Sequence, residues 1–327
     1  MRNPTRRPLP ALLAAGVLLA SCGSDGGDAA PTEVGGSQGS SSDLTIAVTT
    51  TILGDVVSDL LGDLAEVVTV VPPGANVHDY QASAREAAVL AGADAIVVNG
   101  GGFEEGLLAV VDGAESDGVP VIDALELLGG SEGAAGNDHG RADEGDDAHD
   151  DDAHFFTDPL AVVEVVDALA EALPEQVPDL DAAALRERAD AVVAELEALH
   201  EELDAMLAEV PDDDRVLITD HDVLASFAER YDFEIIATVI PSGSTSDGVS
   251  GGALAELAAL LRSTGVPAVF VEQTASADLA DTLAAEVGDV AVVPLYAESL
   301  GPADSEASTY AAMMRLNAQR IADALGG

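Results

Sequence analysis

The chain has 327 residues, a length that suits two domains of ordinary size better than one core. Its formal net charge is −49, and all 12 cationic side chains are arginines. This balance excludes a nucleic-acid partner, because phosphate binding needs clustered cations. It is typical of a solvated acidic surface, and it would also attract cations. Because Cys22 is the only cysteine, an intrachain disulfide framework and a cysteine-based zinc cluster are excluded as well.

The N-terminus has the pattern of a secretion signal. Three arginines precede a short apolar run at 9–20, too short to span a membrane as a mature helix. The run ends in Leu19-Ala20-Ser21-Cys22, which resembles a bacterial lipobox and implies cleavage before Cys22 and lipidation of its thiol. We therefore predict a lipoprotein signal peptide at 1–21 and an anchor on the outer face of the cytoplasmic membrane. An ordinary signal peptide with an incidental cysteine is the alternative.

Residues 22–43 are rich in Gly, Ser and Asp, and they predict a flexible tether. From there β-branched runs alternate with helical patterns through an N-terminal lobe at 44–178. The predicted elements are, in order, strand 44–48, helix 52–61, strand 67–71, helix 82–91, strand 95–98, helix 103–111, strand 119–122 and helix 158–173. This alternation favours a parallel sheet with helices on both faces.

Residues 181–209 break the alternation, because apolar residues recur there at helical spacing with no Gly or Pro. We predict one long linking helix within 179–210, followed by a C-terminal lobe at 211–327. The later strands are predicted at 216–219, 234–239, 268–271 and 290–293, and the helices at 223–231, 253–263, 277–287 and 309–325. The predicted fold class is α/β, with two lobes built on parallel sheets and joined by one long helix.

An acidic loop dotted with histidines interrupts the first lobe at 131–153. Its composition cannot bury a core, whereas imidazoles and carboxylates hold divalent metals. We predict weak, transient metal capture there, and a merely soluble insertion is the alternative. The side chains assigned to this capture are His139, His149, Asp150, Asp151 and Asp152.

Four further side chains predict a fixed metal site: His78, His154, His221 and Glu298. Each follows a strand or lies at a loop–helix junction, and each is more than 60 residues from the next. Ligands of open α/β sheets bind beyond the carboxyl ends of the strands. Two ligands from each lobe would therefore place an ion in the cleft between the lobes. Three imidazoles with one carboxylate make a closed tetrahedral set suited to zinc.

Several motifs give the chain a family resemblance. It resembles the metal-binding substrate-binding proteins of ABC importers, the group of zinc-binding ZnuA-like and manganese-binding TroA-like receptors. The segments that carry the resemblance are P-G-A-N-V-H-D-Y at 73–80, N-G at 99–100 with F-E at 103–104, H-F-F-T-D-P at 154–159, T-D-H-D at 219–222, F-V-E at 270–272, P-L-Y-A-E-S-L-G at 294–301 and Y-A-A-M-M-R-L-N at 310–317. They extend from about residue 44 to the C-terminus.

The resemblance implies a monomeric two-lobed receptor that binds Zn²⁺ and delivers it to an ABC permease and its ATPase, with a metallochaperone as a further possible partner. The family's third ligand position is commonly His in zinc binders and Glu in manganese binders, so His221 favours zinc. Its fourth position is usually Asp, and Glu298 departs from that pattern. Glu272 matches a position that supports the site, which implies hydrogen bonding to the ligand shell.

Three other functions remain open from the sequence. One is a surface adhesin, which the family resemblance allows and no feature of the sequence favours. A manganese-selective receptor of the same family would use the same fold and cleft. A secreted zinc hydrolase would keep three histidine ligands and use Glu272 or Glu298 as the base beside a metal-bound water.

Overall fold

The computed structural model describes residues 44–129, 152–219, 221–238, 251–273 and 290–326. Within these ranges the chain forms two α/β lobes, each built on a four-stranded parallel sheet. Among the helices of the described ranges, none combines the length and the apolar character needed to cross a membrane. The predicted signal peptide, tether and Cys22 lie outside the described residues.

The first sheet has the strand order β2-β1-β3-β4. The elements of this lobe are β1 (Thr45–Val48), α1 (Thr51–Leu61), β2 (Glu66–Thr69), α2 (Ala84–Gly92), β3 (Ala95–Val98), α3 (Leu108–Ser116), β4 (Val121–Asp123), α4 (Ala124–Gly129) and α5 (Pro159–Gln176). Short 3-10 turns at Glu105–Leu107 and Phe155–Thr157 precede α3 and α5. All four residues of β3 are buried, as expected for a central strand covered by helices on both faces.

The second sheet repeats the arrangement with the order β6-β5-β7-β8. After the long helix α6 (Ala182–Leu207), the elements are β5 (Val216–Thr219), α7 (Ala225–Arg230), β6 (Glu234–Thr238), α8 (Gly251–Thr264), β7 (Ala268–Glu272), β8 (Ala291–Leu295) and α9 (Tyr310–Leu325). The equal strand order means that the carboxyl ends of β1 and β5 occupy corresponding places in the two sheets.

The long helix α6 packs against α1 and α5 of the first lobe and α9 of the second. The Asp181 side chain caps its start by accepting hydrogen bonds from the backbone N–H groups of Ala183 and Ala184. A stripe of buried apolar side chains faces the lobes: Leu185, Ala189, Leu196, Leu199, Leu203 and Leu207. The larger apolar cluster therefore contains residues of both lobes, and a smaller separate cluster lies between the second sheet and α8. The domain boundaries at 178 and 210 stay predictions.

Two local differences from the predicted elements have physical reasons. The helix expected at 103–111 begins only at Leu108, because Gly100, Gly101 and Gly102 all have positive φ and form an irregular turn first. Helix α4 was not predicted; it begins directly after β4, where Asp123 accepts a hydrogen bond from the backbone N–H of Glu126. The helix predicted at 277–287 lies outside the described residues.

Asp123 makes the stability of this lobe depend on pH. Burial, together with nearby Glu126 and Glu104, raises the pKa of Asp123 to about 6. The folded protein then binds a proton more readily than the unfolded chain, so the free energy of unfolding falls as pH rises from about 4 to 6. Asp123→Asn keeps an acceptor for the Glu126 N–H group. We expect it to stabilise the protein by about 1 kcal/mol at pH 7, after discounting for the partial exposure of the carboxylate.

Urea unfolding at pH 4 and pH 7 measures this effect, and the gain is expected to disappear at pH 4. Asp112→Asn is the control, because Asp112 is exposed on α3. A gain of equal size at both pH values would show that charge on Asp123 is not the cause.

Candidate metal centre

The structure brings together the four side chains predicted as ligands. One donor atom from each of His78, His154, His221 and Glu298 lies within 4.8 Å of the other three. His78 lies in the loop after β2, and His154 immediately precedes the 3-10 turn that leads into α5. His221 follows β5, and Glu298 follows β8. Two donors thus come from each lobe and meet beyond the carboxyl ends of the strands.

Glu298 lies at the centre of the contacts. Its Oε1 atom is 2.9 Å from Nε2 of His78 and 2.9 Å from Nε2 of His221. The ring centroids of the three histidines are 5.6 to 6.4 Å apart. Donors at a zinc ion are about 3.3 Å apart, the edge of a tetrahedron with Zn–N distances of about 2.05 Å. Small side-chain movements would therefore suffice to close these four donors around one ion.

Burial and charge favour a cation here. Glu298 is 2% exposed and His221 is 1% exposed. Burial alone would raise the pKa of Glu298, but hydrogen bonds from His221 and His78 outweigh it and hold that pKa well below its usual range. Within the described part of the chain, the buried Glu298 Oε2 and His154 Nε2 atoms have no hydrogen-bond partner. Buried polar atoms rarely lack a hydrogen-bond partner, and a cation bound here would serve as the partner of both atoms.

Aromatic rings close one side of the centre. The Phe103 ring contacts the His78 ring at a centroid distance of 5.2 Å and the His154 ring at 5.3 Å, both edge to face. Phe156 packs against Phe103 and His154 as well. This apolar wall limits the access of water and fixes two of the imidazole planes.

Asp152, one of the residues predicted to capture metal, lies beside the converging donors, and its role in capture stays a prediction. Its Oδ1 atom accepts a hydrogen bond from the backbone N–H of His154 at 2.8 Å, and its Oδ2 atom accepts one from the Ser226 hydroxyl at 2.6 Å. Both carboxylate oxygens of Asp152 are therefore hydrogen-bonded within the protein. The other residues assigned to capture, His139, His149, Asp150 and Asp151, lie outside the described residues.

The loop that carries Glu298 is held from two directions. Glu272, at the end of β7, accepts a hydrogen bond from the backbone N–H of Ala297 at 2.8 Å. The hydroxyl of Ser299 accepts one from the N–H of Gly74, in the loop that leads to His78, at 2.9 Å. Glu272 therefore lies where a supporting residue is needed, and its influence on metal binding stays a prediction.

A buried polar network lies behind His154, and no role was predicted for it. The Asn99 side-chain amide donates to the backbone oxygen of Ala153 at 2.8 Å. Glu104, which is buried, accepts hydrogen bonds from the Asn99 N–H and the Thr49 hydroxyl at 2.7 and 2.6 Å. Burial raises the pKa of Glu104. One feature of the sequence could have indicated this network, because the apolar strand β3 runs directly into a polar Asn-Gly pair.

Gly106 supports the other side of the His78 loop. A Cβ atom at Gly106 would overlap the backbone oxygen of Tyr80, two residues beyond His78. We therefore expect Gly106→Ala to lower the free energy of unfolding of the metal-free protein by about 1–3 kcal/mol. Gly113→Ala is the matched control, because nothing lies within 4 Å of its Cβ position in α3. It should raise stability by about 0.5–1 kcal/mol. Urea unfolding measures both free energies. A change in the same direction in both variants would show that the close contact at Gly106 is not the cause.

Comparison with solved structures gives the fold. The periplasmic zinc-binding protein TroA from Treponema pallidum superposes with a TM-score of 0.74 and 24% identity, over 86% of this chain and 99% of that chain. Among curated relatives, the manganese-binding lipoprotein MntA of Halalkalibacterium halodurans is 27% identical over 86% of this chain and 88% of its own length. The zinc-binding lipoprotein AdcA of Streptococcus pneumoniae is 27% identical over 85% of this chain, which corresponds to 55% of AdcA.

The fold, the four converging donors and these relatives define a metal-binding substrate-binding protein of ABC importers. More particularly, the family model described as zinc-uptake complex component A, periplasmic, matches residues 46–324, and the chain belongs to that family. Members of this family are metal-binding transport receptors and not enzymes, so the hydrolase alternative is set aside. The predicted location on the extracytoplasmic face of the membrane is confirmed by the lipoprotein names of the relatives.

Proposed function

We propose that the protein captures zinc outside the cytoplasmic membrane and delivers it to an ABC permease and its ATPase. The observation that carries this proposal is the donor set, three imidazoles and one carboxylate within 4.8 Å of one another. Imidazole suits zinc, whereas manganese prefers carboxylate, carbonyl and water oxygens in octahedral geometry. A closed set of four protein ligands is also typical of zinc held tightly rather than zinc used for catalysis.

Manganese is the second candidate cargo. A curated relative at 27% identity is named for manganese. The buried Glu298 Oε2 atom, which has no hydrogen-bond partner in the described part of the chain, is available as a fifth donor. A bidentate carboxylate would move the centre towards the higher coordination number that manganese favours.

Competitive titration alone does not separate these cargoes, since almost any site of nitrogen and oxygen donors binds zinc more tightly than manganese. The deciding experiment measures uptake of radioactive zinc and manganese by cells with and without the gene. Loss of zinc uptake with unchanged manganese uptake is expected, and the opposite pattern would assign manganese as the cargo. His221→Glu is the matched variant, and it should raise the manganese affinity of the purified protein while lowering its zinc affinity.

We also propose the lipid anchor on Cys22 and a capture role for the acidic loop. If the loop only gathers ions, deleting residues 131–150 should slow zinc association and leave the dissociation constant unchanged. This deletion spares Asp152. Stopped-flow mixing with zinc measures the association rate, and a deletion that abolished tight binding would assign the loop to the site itself.

A further inference from the structure

The Asp152 carboxylate joins a metal ligand of one lobe to a helix of the other. Besides the backbone contact to His154, its Oδ1 atom lies 3.3 Å from Nδ1 of the His154 ring. Its Oδ2 atom accepts the Ser226 hydroxyl at 2.6 Å and lies 3.3 Å from the Ser226 backbone N–H. Ser226 is 3% exposed and lies in the first turn of α7. The contact therefore spans the boundary between the lobes inside the protein.

The first consequence concerns the orientation of His154. An Nδ1–H group that faces a carboxylate leaves Nε2 as the atom with the free lone pair. The His154 Nε2 atom is buried, has no hydrogen-bond partner in the ranges that the structure describes, and belongs to the group of converging donors. A carboxylate behind a ligating histidine fixes the ring and increases its basicity. Asp152 is such a carboxylate, because its Oδ1 atom faces Nδ1 of His154.

The second consequence concerns the two lobes. Ser226 lies on the segment that also carries His221, just beyond β5. The same junction contains a hydrogen bond from the Phe227 N–H to the Thr157 hydroxyl at 3.2 Å. It also contains an ion pair between Arg230 and Asp158 at 2.7 Å. Of these three contacts, only the one through Asp152 reaches a ligand side chain.

We propose that Asp152 is a positioning residue that couples the His154 ring to the second lobe through Ser226. This inference rests on the proposed function of the centre as a metal receptor. Metal binding and the lobe contact then strengthen each other, since coupling between two equilibria is reciprocal. Movement of α7 away from residues 152–158 removes the partner of Asp152, loosens the His154 ring and favours release of the ion.

The test measures zinc release into excess chelator by stopped flow for the wild type, Asp152→Ala, Ser226→Ala and the double variant. We expect release to be about 10–100-fold faster in Asp152→Ala, the usual effect of losing an outer partner of a ligand. Ser226→Ala should be about fivefold faster, the equivalent of one hydrogen bond. In the Asp152→Ala background, the Ser226→Ala change should have no further effect, because its route to the metal is gone.

Asp158→Asn is the matched control, because it breaks the ion pair of the same junction without touching a ligand. The absorption spectrum of bound Co²⁺ supplies a readout that a loss of stability would not move. It should change in Asp152→Ala and stay unchanged in Asp158→Asn. The coupling is overturned if Ser226→Ala releases zinc at the wild-type rate, if its effect persists without Asp152, or if Asp158→Asn accelerates release equally. A wild-type protein that held no zinc or manganese would instead overturn the proposed function, and the coupling with it.

Discussion

Replacing His221 with alanine is expected to weaken zinc binding by about 100-fold to 1,000-fold. A closed four-ligand zinc site provides about 10–16 kcal/mol, so one ligand corresponds to about 3–4 kcal/mol, or two to three powers of ten in affinity. His221 is buried, so the alanine variant also leaves a cavity beside Glu298. Water that enters this cavity replaces only part of the lost coordination. Competition against a chromophoric zinc chelator measures the change in dissociation constant.

His200→Ala is the control for this prediction. His200 lies on α6, where its Nδ1 atom is 3.3 Å from the Tyr231 hydroxyl, and it is not among the converging donors. The zinc affinity of this variant should stay within about twofold of the wild type, since the substitution removes no ligand. A His221→Ala protein with wild-type affinity would remove His221 from the site and with it the strongest argument for zinc.

Acidification is expected to weaken zinc binding steeply, because protons and the ion compete for the same atoms. A histidine must be neutral to bind a metal, and unperturbed histidines titrate near about 6.5. Three imidazole ligands make the logarithm of the zinc affinity fall by up to about three for each pH unit well below that value. Zinc delivery in an acidic medium would be limited by this competition.

Glu298 should not contribute to the slope of the logarithm of zinc affinity against pH. Its pKa lies well below the usual range, because hydrogen bonds from His221 and His78 outweigh the effect of burial. A depressed pKa keeps the carboxylate ionised as pH falls from 8 to 5, so it takes up no proton over this interval. The number of protons that compete with zinc, which the slope measures, therefore comes from the imidazoles alone.

Zinc titrations at several pH values between 5 and 7.5 measure the slope. Glu298→Gln should bind zinc more weakly at every pH and keep the wild-type slope, whereas His221→Ala should lose about one unit of slope. An affinity that did not change between pH 7 and pH 5 would argue against a centre dominated by histidines.

The parts of the structure set by local pattern could be predicted from the sequence. Alternating β-branched runs and helical periods predicted both sheets and α6 to within a few residues. This was possible because buried strands and buried helix faces require apolar residues at characteristic spacings. The convergence of His78, His154, His221 and Glu298 followed from one further rule, that ligands gather at the carboxyl ends of parallel strands. Their roles as ligands stay predictions that the titrations test.

The parts set by contacts between the lobes could not be predicted. Asp152 belongs by composition to the acidic loop, and nothing in its neighbourhood in the sequence indicates Ser226, 74 residues away. Such a pair depends on how the two lobes pack, and side chains like Ser and Asp are compatible with many surroundings. Glu104 is similar, since a carboxylate in an apolar-flanked turn is usually solvated and here is buried in a hydrogen-bonded network.

X-ray absorption at the zinc edge, on protein loaded with one equivalent of zinc, tests most directly whether the converging donors bind the ion. Three imidazole nitrogens and one or two carboxylate oxygens are expected at about 2.0–2.2 Å, with the imidazole count falling to two in His221→Ala. A spectrum dominated by water or carboxylate oxygens, with the same imidazole count in both proteins, would exclude this ligand set. The ion would then lie elsewhere, and the converging donors between the lobes would not be the receptor site.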